Sequence, residues 1–210
     1  MNLRIERFVL GPIQENAYAL FDDAHKEAVV IDPGADPEPL IEAVRGYRVA
    51  YLLLTHAHFD HIAGLEALKK ATGAPILIHP QEAGWLRDPE LNGSAFFPEL
   101  TARVVAPNAD RPVEDGDVLP FAGRTLKVLH VPGHSPGSVA YLIDEVVFTG
   151  DALFAGGIGR TDLPGGDHAA LLRSVREKLY PLPPETRVYP GHGPETTIGR
   201  ERTSNPFVRG

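Results

Sequence analysis

Four apolar segments in this chain run straight into turns that carry histidine or aspartate. The segments are VAYLLL (49–54), TLKVLHV (125–131), EVVFTG (145–150) and TRVY (186–189). The turns that follow are THAHFDH, PGHSPGS, TGDALF and YPGHG. Near-continuous apolar runs of this length suit strands covered on both faces, and loops at the ends of such strands are where ligand sites lie. The pattern therefore calls for a fold in which several strand ends share one edge. In such a fold His56, His58, Asp60, His61, His134, Asp151 and His192 converge.

The rest of the chain supplies the layers around those strands. NAYALF (16–21) and EAVVIDPG (27–34) read as neighbouring strands joined by the polar turn DDAHK, and APILIHP and SVAYLID as further strands. PLIEAVRGY and AGLEALKKATG have apolar residues at helical spacing, the second closed by Gly73. DHAALLRSVREKLY is the clearest helix, with Leu171, Leu172, Val175 and Leu179 on one face and Asp167 near its N-cap. The strand–loop–helix rhythm predicts an α/β fold with helices covering both faces of a sheet pair. No linker or shift in composition interrupts it, so residues 1–210 read as a single domain.

Composition narrows the chemistry. Cysteine is absent, which removes thiolate ligands, disulfides and cysteine nucleophiles together. Any metal must be held by imidazole and carboxylate. Five imidazoles and two carboxylates exceed the four ligands of one tetrahedral zinc and suit two metals sharing a bridging carboxylate. The H-x-H spacing fits a turn, since residues i and i+2 diverge on a helix. Pro132, Gly133, Gly191 and Gly193 allow the sharp bends that aim His134 and His192 inward. His25 and His168 read as solvated. His79 and His130 read as packing or supporting groups. The net charge of -8 without a basic run argues against a nucleic-acid partner. No apolar run approaches the roughly 20 residues of a membrane span, and the N-terminus, broken by Arg4, Glu6 and Arg7, shows no signal peptide. A soluble cytoplasmic protein is expected.

The motifs IDPG (31–34), THAHFDH (55–61), HVPGHSPGS (130–138), FTGDALF (148–154) and YPGHG (189–193), in this order, resemble the metallo-β-lactamase superfamily over nearly the whole chain. The resemblance implies a four-layer αββα sandwich with a metal site at one edge. His56, His58 and His134 would hold one metal, and Asp60, His61 and His192 the other, with Asp151 bridging. Within the superfamily the chain looks like glyoxalase II-type hydroxyacylglutathione hydrolases. GDALFAGGIGR resembles their substrate-binding segment, with Arg160 in the place of a lysine, and NPFVR near the C-terminus is also similar. Only residues 193–210 follow His192, whereas that family adds a helical domain that helps bind glutathione. The aromatic residue found after the basic position is also missing from TDLPGGD.

These features predict a hydrolase of a small-molecule thioester. It would use a hydroxide activated by two divalent ions, zinc or alternatively iron or manganese. Asp60 and Asp151 are the expected catalytic carboxylates. Asp32 is expected to accept a proton from a ligating imidazole, and Arg160 to meet an anionic substrate group. The main alternative is a mononuclear iron persulfide dioxygenase of the same superfamily, which would use His56, His134 and Asp151 and shares the GRTD sequence at 159–162. A non-enzymatic metal-binding module is the outside alternative. No sequence feature sets the oligomeric state.

Overall fold

The apolar segments assemble into two six-stranded sheets in the computed structural model of the protein, which describes residues 3–210; the first two positions of the domain read from sequence lie outside the described residues. The first sheet holds β1 (Arg4–Leu10), β2 (Glu15–Asp22), β3 (Glu27–Ile31), β4 (Arg48–Leu53), β5 (Ile76–Ile78) and β6 (Arg111–Pro112), in chain order. The second runs β12–β11–β10–β9–β8–β7. Its members are β7 (Val118–Phe121), β8 (Arg124–His130), β9 (Val139–Ile143), β10 (Val146–Gly150), β11 (Arg187–Pro190) and β12 (Thr196–Thr197).

Side-chain alternation builds the layers. In β2, which is buried along its whole length, Tyr18 and Leu20 face the other sheet, while Ala17, Ala19 and Phe21 face outward under helices. The inner layer combines Tyr18, Val29, Ile31, Leu53 and Leu77 with Leu126, Val128, Tyr141 and Phe148 of the second sheet. Outside the first sheet lie α1 (Glu38–Ala43), α2 (Phe59–Ile62), α3 (Leu65–Thr72) and a 3-10 helix, Pro80–Arg87. Outside the second lie α4 (His168–Ser174), continued by a π-helical turn over Val175–Leu179, and α5 (Ile198–Ser204). This is the four-layer αββα sandwich. The Asp167 side chain caps α4 by accepting from the Ala170 amide, and Gly73 closes α3 at φ 68°.

Strand direction explains why the ligand-bearing turns meet. β8 and β10 both run antiparallel to β9, and β11 runs parallel to β10. The C-terminal ends of β8, β10 and β11 therefore share one edge. β4 reaches the same edge from the other sheet, where the Val139 amide donates to the Thr55 carbonyl at 2.8 Å. Two buried tyrosines cross between the sheets in opposite senses. Tyr141 Oη donates to the Leu54 carbonyl at 2.8 Å and Tyr18 Oη to the Pro190 carbonyl at 2.7 Å. Each pins the backbone immediately before a ligand-bearing turn.

Several elements escape the sequence patterns. β1 is an edge strand whose alternation is broken by charge, and β7 is an edge strand containing Pro120, which an interior strand would exclude. β6 and β12 have two residues each. The 3-10 helix and α5 are short and were not marked by periodicity. Among the described residues no helix is long and apolar enough to cross a membrane.

Replacing either crossing tyrosine with phenylalanine removes one buried hydrogen bond and should cost about 1–2 kcal/mol. For a chain of this size that is a fall in Tm of roughly 2–8 °C. An unchanged melting curve for both variants would show that the crossing bonds carry no load.

Candidate metal centre

The turn after β4 places His56, His58, Asp60 and His61, with α2 beginning inside the motif at Phe59. The turns after β8, β10 and β11 add His134, Asp151 and His192. His58 Nδ1 lies 2.8 Å from His134 Nε2, which lies 3.2 Å from His56 Nε2. His192 Nε2 is 3.0 Å from Asp60 Oδ2, and His61 Nε2 is 3.4 Å from both Asp60 Oδ2 and Asp151 Oδ1. Asp151 Oδ2 stands 3.7 Å from His134 Nε2 and 3.7 Å from His192 Nε2, between the two groups. All seven residues that the sequence nominates are brought together, as the sets His56–His58–His134, His56–His61–Asp151 and Asp60–His61–His192.

Hydrogen bonds behind the rings fix which nitrogens face inward. His134 Nδ1 donates to the Arg160 carbonyl at 2.8 Å, leaving Nε2 with its lone pair toward the centre. Thr55 Oγ1 donates to Asp32 Oδ2 at 2.6 Å, so at 3.0 Å from His56 Nδ1 it accepts from that ring and leaves His56 Nε2 unprotonated. Two ring lone pairs thus face each other at 3.2 Å with no proton between them. Buried Asp151 Oδ1 makes no hydrogen bond, and His61 Nε2 faces it at 3.4 Å. Bare lone pairs facing one another in a buried site repel, and a cation relieves them. Ligand atoms of tetrahedral zinc, each about 2.0–2.1 Å from the ion, lie roughly 3.3 Å apart. The residues fit divalent metals.

Protonation follows from burial and neighbouring charge. Burial holds His56 well below its ordinary pKa, assisted by His61, His134 and His58. Burial and then His134 bring His58 down to about 3. Burial also lowers His134, against the pull of Asp151. Burial opposes charge on His61 too, but Asp60, Asp151 and Asp32 outweigh it and raise its pKa well above normal. His192 is raised in the same way: burial works against charge, and Asp60 and Asp151 prevail. Asp60 and Asp151 stay ionised, because the imidazoles, His61 foremost, overcome the cost of burial.

Asp32 lies behind this set. Its Oδ1 accepts from the Thr55 amide at 2.7 Å and its Oδ2 faces His61 Nδ1 at 3.1 Å. Arg160 reaches the cavity, but Asp162 holds its guanidinium through two bonds of 2.7 and 2.8 Å. His25 pairs with Asp22 at an exposed turn, and His168 is exposed at the start of α4. His79 stacks on His130 with centroids 4.3 Å apart, away from the ligands.

Three supporting residues were not found from sequence. Glu82 is wholly buried and accepts from the Ala57 amide at 2.6 Å and the Gly137 amide at 2.7 Å, lacing the turn after β4 to the turn after β8. Asn16 donates to the Pro190 and Gly193 carbonyls and so holds the His192 turn. Glu15 lies 3.7 Å from His61 Nδ1 with both carboxyl oxygens buried and unpartnered. Burial, against the pull of His61, pushes it toward the neutral acid. A charge heading an otherwise apolar strand was the one available signal for Glu15; Glu82 has none.

A cavity of about 370 Å³ opens over the centre. Besides the ligands His58, Asp60, His134, Asp151 and His192, it is lined by Ile13, Phe59, Phe97, Leu100, Phe154, Arg160 and Leu163.

The metallo-β-lactamase superfamily model matches residues 10–192. A probable metallo-hydrolase of Bacillus subtilis (strain 168), YqgX, is 42% identical over 212 residues, covering 99% of each chain. The hydroxyacylglutathione hydrolase GloC of Haemophilus influenzae is 38% identical over 98% of each. Among solved structures, the BLEG-1 B3 metallo-β-lactamase aligns with a TM-score of 0.93 at 45% identity, over 99% of this chain and 100% of that one. TTHA1623 in a di-iron-bound form aligns at 0.84 and 42%, over 97% and 100%. ETHE1 from Myxococcus xanthus aligns at 0.79 and 30%, over 98% and 84%.

Metal uptake by Asp60, His61 and His192 must displace protons from the two raised imidazoles, whereas His56, His58 and His134 are held neutral. Acidification should therefore strip the Asp60–His61–His192 position first, with affinity falling about tenfold per pH unit for each displaced proton. Metal content across a pH series checks this; simultaneous loss of all metal contradicts it. Asp32→Asn turns an amide toward Thr55 or His61 and should weaken metal binding by roughly 10–100-fold, read by competition with a chelator.

Proposed function

Since the chain belongs to the metallo-β-lactamase superfamily, we propose that its reaction is the hydrolysis of a thioester. Bound at the two sets of ligands, divalent ions would bring the pKa of water toward neutrality and polarise a carbonyl. Zinc fits these ligands, and so does iron.

The observation that carries the reading is what the cavity lacks. Apart from the ligands, its lining is apolar side chains and Arg160, which offers no transferable proton. An amine leaving group needs a general acid to protonate it as the bond breaks. A thiolate, with an ordinary pKa near 8.5, departs without one. Water adds its oxygen to the acyl carbon, the carbon–sulfur bond breaks with its electron pair on sulfur, and the products are a carboxylate, a thiolate and two protons, both from the water. The same reasoning disfavours a lactam, whose nitrogen must be protonated and whose carboxylate needs a cation that Asp162 already occupies here.

The protein's own groups have distinct parts. Ionised Asp60, held by His192 at 3.0 Å, accepts a hydrogen bond from water and orients it. Asp151 stands between the two sets of ligands and keeps both in register. Arg160 and Asp32 support the reaction through His134 and His61, the first by its carbonyl and the second by its carboxylate.

A specific resemblance favours one second reading, oxidation of a persulfide by a single iron. The structure named ETHE1 aligns with this chain, and His56, His134 and Asp151 are the two imidazoles and one carboxylate that such a site needs. Oxygen is then consumed, which hydrolysis never does.

Two assays on one preparation separate the readings. Metal analysis should find two ions per chain, with thioester turnover and no oxygen uptake from a persulfide. Asp151→Ala should lose most bound metal and nearly all hydrolysis while its circular dichroism stays native. Oxygen uptake on one iron per chain, or thioester hydrolysis by metal-free protein, would reverse the assignment.

A further inference from the structure

The wall of the cavity is more selective than the metal centre beneath it. Phe59 lies between the ligands His58 and Asp60 in sequence, so apolar surface begins at the reacting centre itself. Phe97 and Leu100, from the long connection after the 3-10 helix, continue it, with the Phe59 and Phe97 rings 5.8 Å apart. Ile13, Phe154 and Leu163 complete the apolar lining. A smaller cavity adjoins it and shares Ile13, Phe59, Asp60 and Leu100 with it. Leu100, which lines both cavities, is 37% exposed, although such a side chain gains by burial. Uncovered apolar surface around a concave site marks a ligand of matching character.

Charge points the same way. Arg160 is the one charged side chain outside the ligand set that lines the cavity among the described residues. Asp162 holds it in two hydrogen bonds, and its guanidinium sits 6.0 Å from the Phe97 ring centre. Moving it to a substrate carboxylate would exchange one exposed ion pair for another, with little net gain. A glutathione carrier brings two carboxylates, an ammonium and two amides, and polar groups set against this wall without partners are penalised. An aliphatic or aryl chain brings none of them.

We propose that the substrate is a thioester of an uncharged, apolar acyl group, seated against Phe59, Phe97, Leu100 and Ile13, on a thiol carrier that makes no ionic contact with the cavity. The assignment rests on the thioester reading above and adds the chemistry of the acyl half. The volume of about 370 Å³ holds roughly a dozen non-hydrogen atoms at ~30 Å³ each. With the reacting thioester group and its neighbours included, that leaves room for an acyl chain of roughly six to eight carbons. Phe97 and Leu100 are the residues that set this length.

The test uses the metal-loaded protein and N-acetylcysteamine thioesters of acetate, butyrate, hexanoate and octanoate, with a hydroxyacylglutathione thioester for comparison. The kcat/KM should rise about fourfold per added methylene up to hexanoyl or octanoyl, which should exceed the glutathione thioester. Phe97→Ala and Leu100→Ala should flatten the rise while metal content stays at the wild-type level. A flat series, or a glutathione thioester that outpaces hexanoyl, overturns the proposal. So does a length effect that appears only when the thiol is lengthened at constant acetyl. Calorimetry with acetate, butyrate and hexanoate reads the wall without any turnover. Affinity that climbs with chain length and flattens in Phe97→Ala upholds the apolar site even when no thioester is cleaved, so that only the reaction assignment fails. Equal affinities for the three acids overturn the site.

Discussion

Unshared electron pairs of buried imidazoles and carboxylates, facing one another across about 3 Å, are the constraint on which the rest of this structure turns. His134 Nε2 and His56 Nε2 meet at 3.2 Å with their protons committed elsewhere, and Asp151 Oδ1 is buried without a hydrogen bond. A protein core does not tolerate such an arrangement for its own sake, because buried polar atoms without partners are costly. The sandwich offsets it with a stiff frame. Tyr18 and Tyr141 tie the sheets together immediately before two ligand-bearing turns, Asn16 clamps the His192 turn alongside Tyr18, and Glu82 laces two turns to each other.

The parts of this molecule that could be read from sequence are those whose signal is local. A run such as VAYLLL with THAHFDH behind it announces both a buried strand and what stands at its end, and the structure places His56, His58, Asp60 and His61 together just beyond β4, in groups that could hold a metal. The helix from His168 is legible for the same reason, since its apolar face repeats along the chain. What could not be read is set by distance. Glu82 looks like exposed Glu90 and Glu99 until the chain folds and its two oxygens meet amides 25 and 55 positions away. β1 was hidden by its charges and β7 by a proline, both features of strands that lie at the edge of a sheet.

The two halves of the site obey different chemistry. The floor is a set of ligands that suits several divalent metals and more than one reaction, which accords with its similarity to a hydrolase, a lactamase, a di-iron protein and ETHE1. Among the described residues the wall is apolar apart from Arg160, whose guanidinium is paired with Asp162. Selectivity among substrates must therefore come from the wall, whose residues belong largely to connections outside the strands.

Arg160 stands at the border between floor and wall with a divided allegiance. Its main-chain oxygen steadies His134, while its guanidinium points to Asp162 and Phe97. Every amino acid carries the same main-chain carbonyl, so the bond to the ring does not depend on the arginine side chain. A change of side chain there alters the lining of the cavity while leaving the imidazole beneath it held as before.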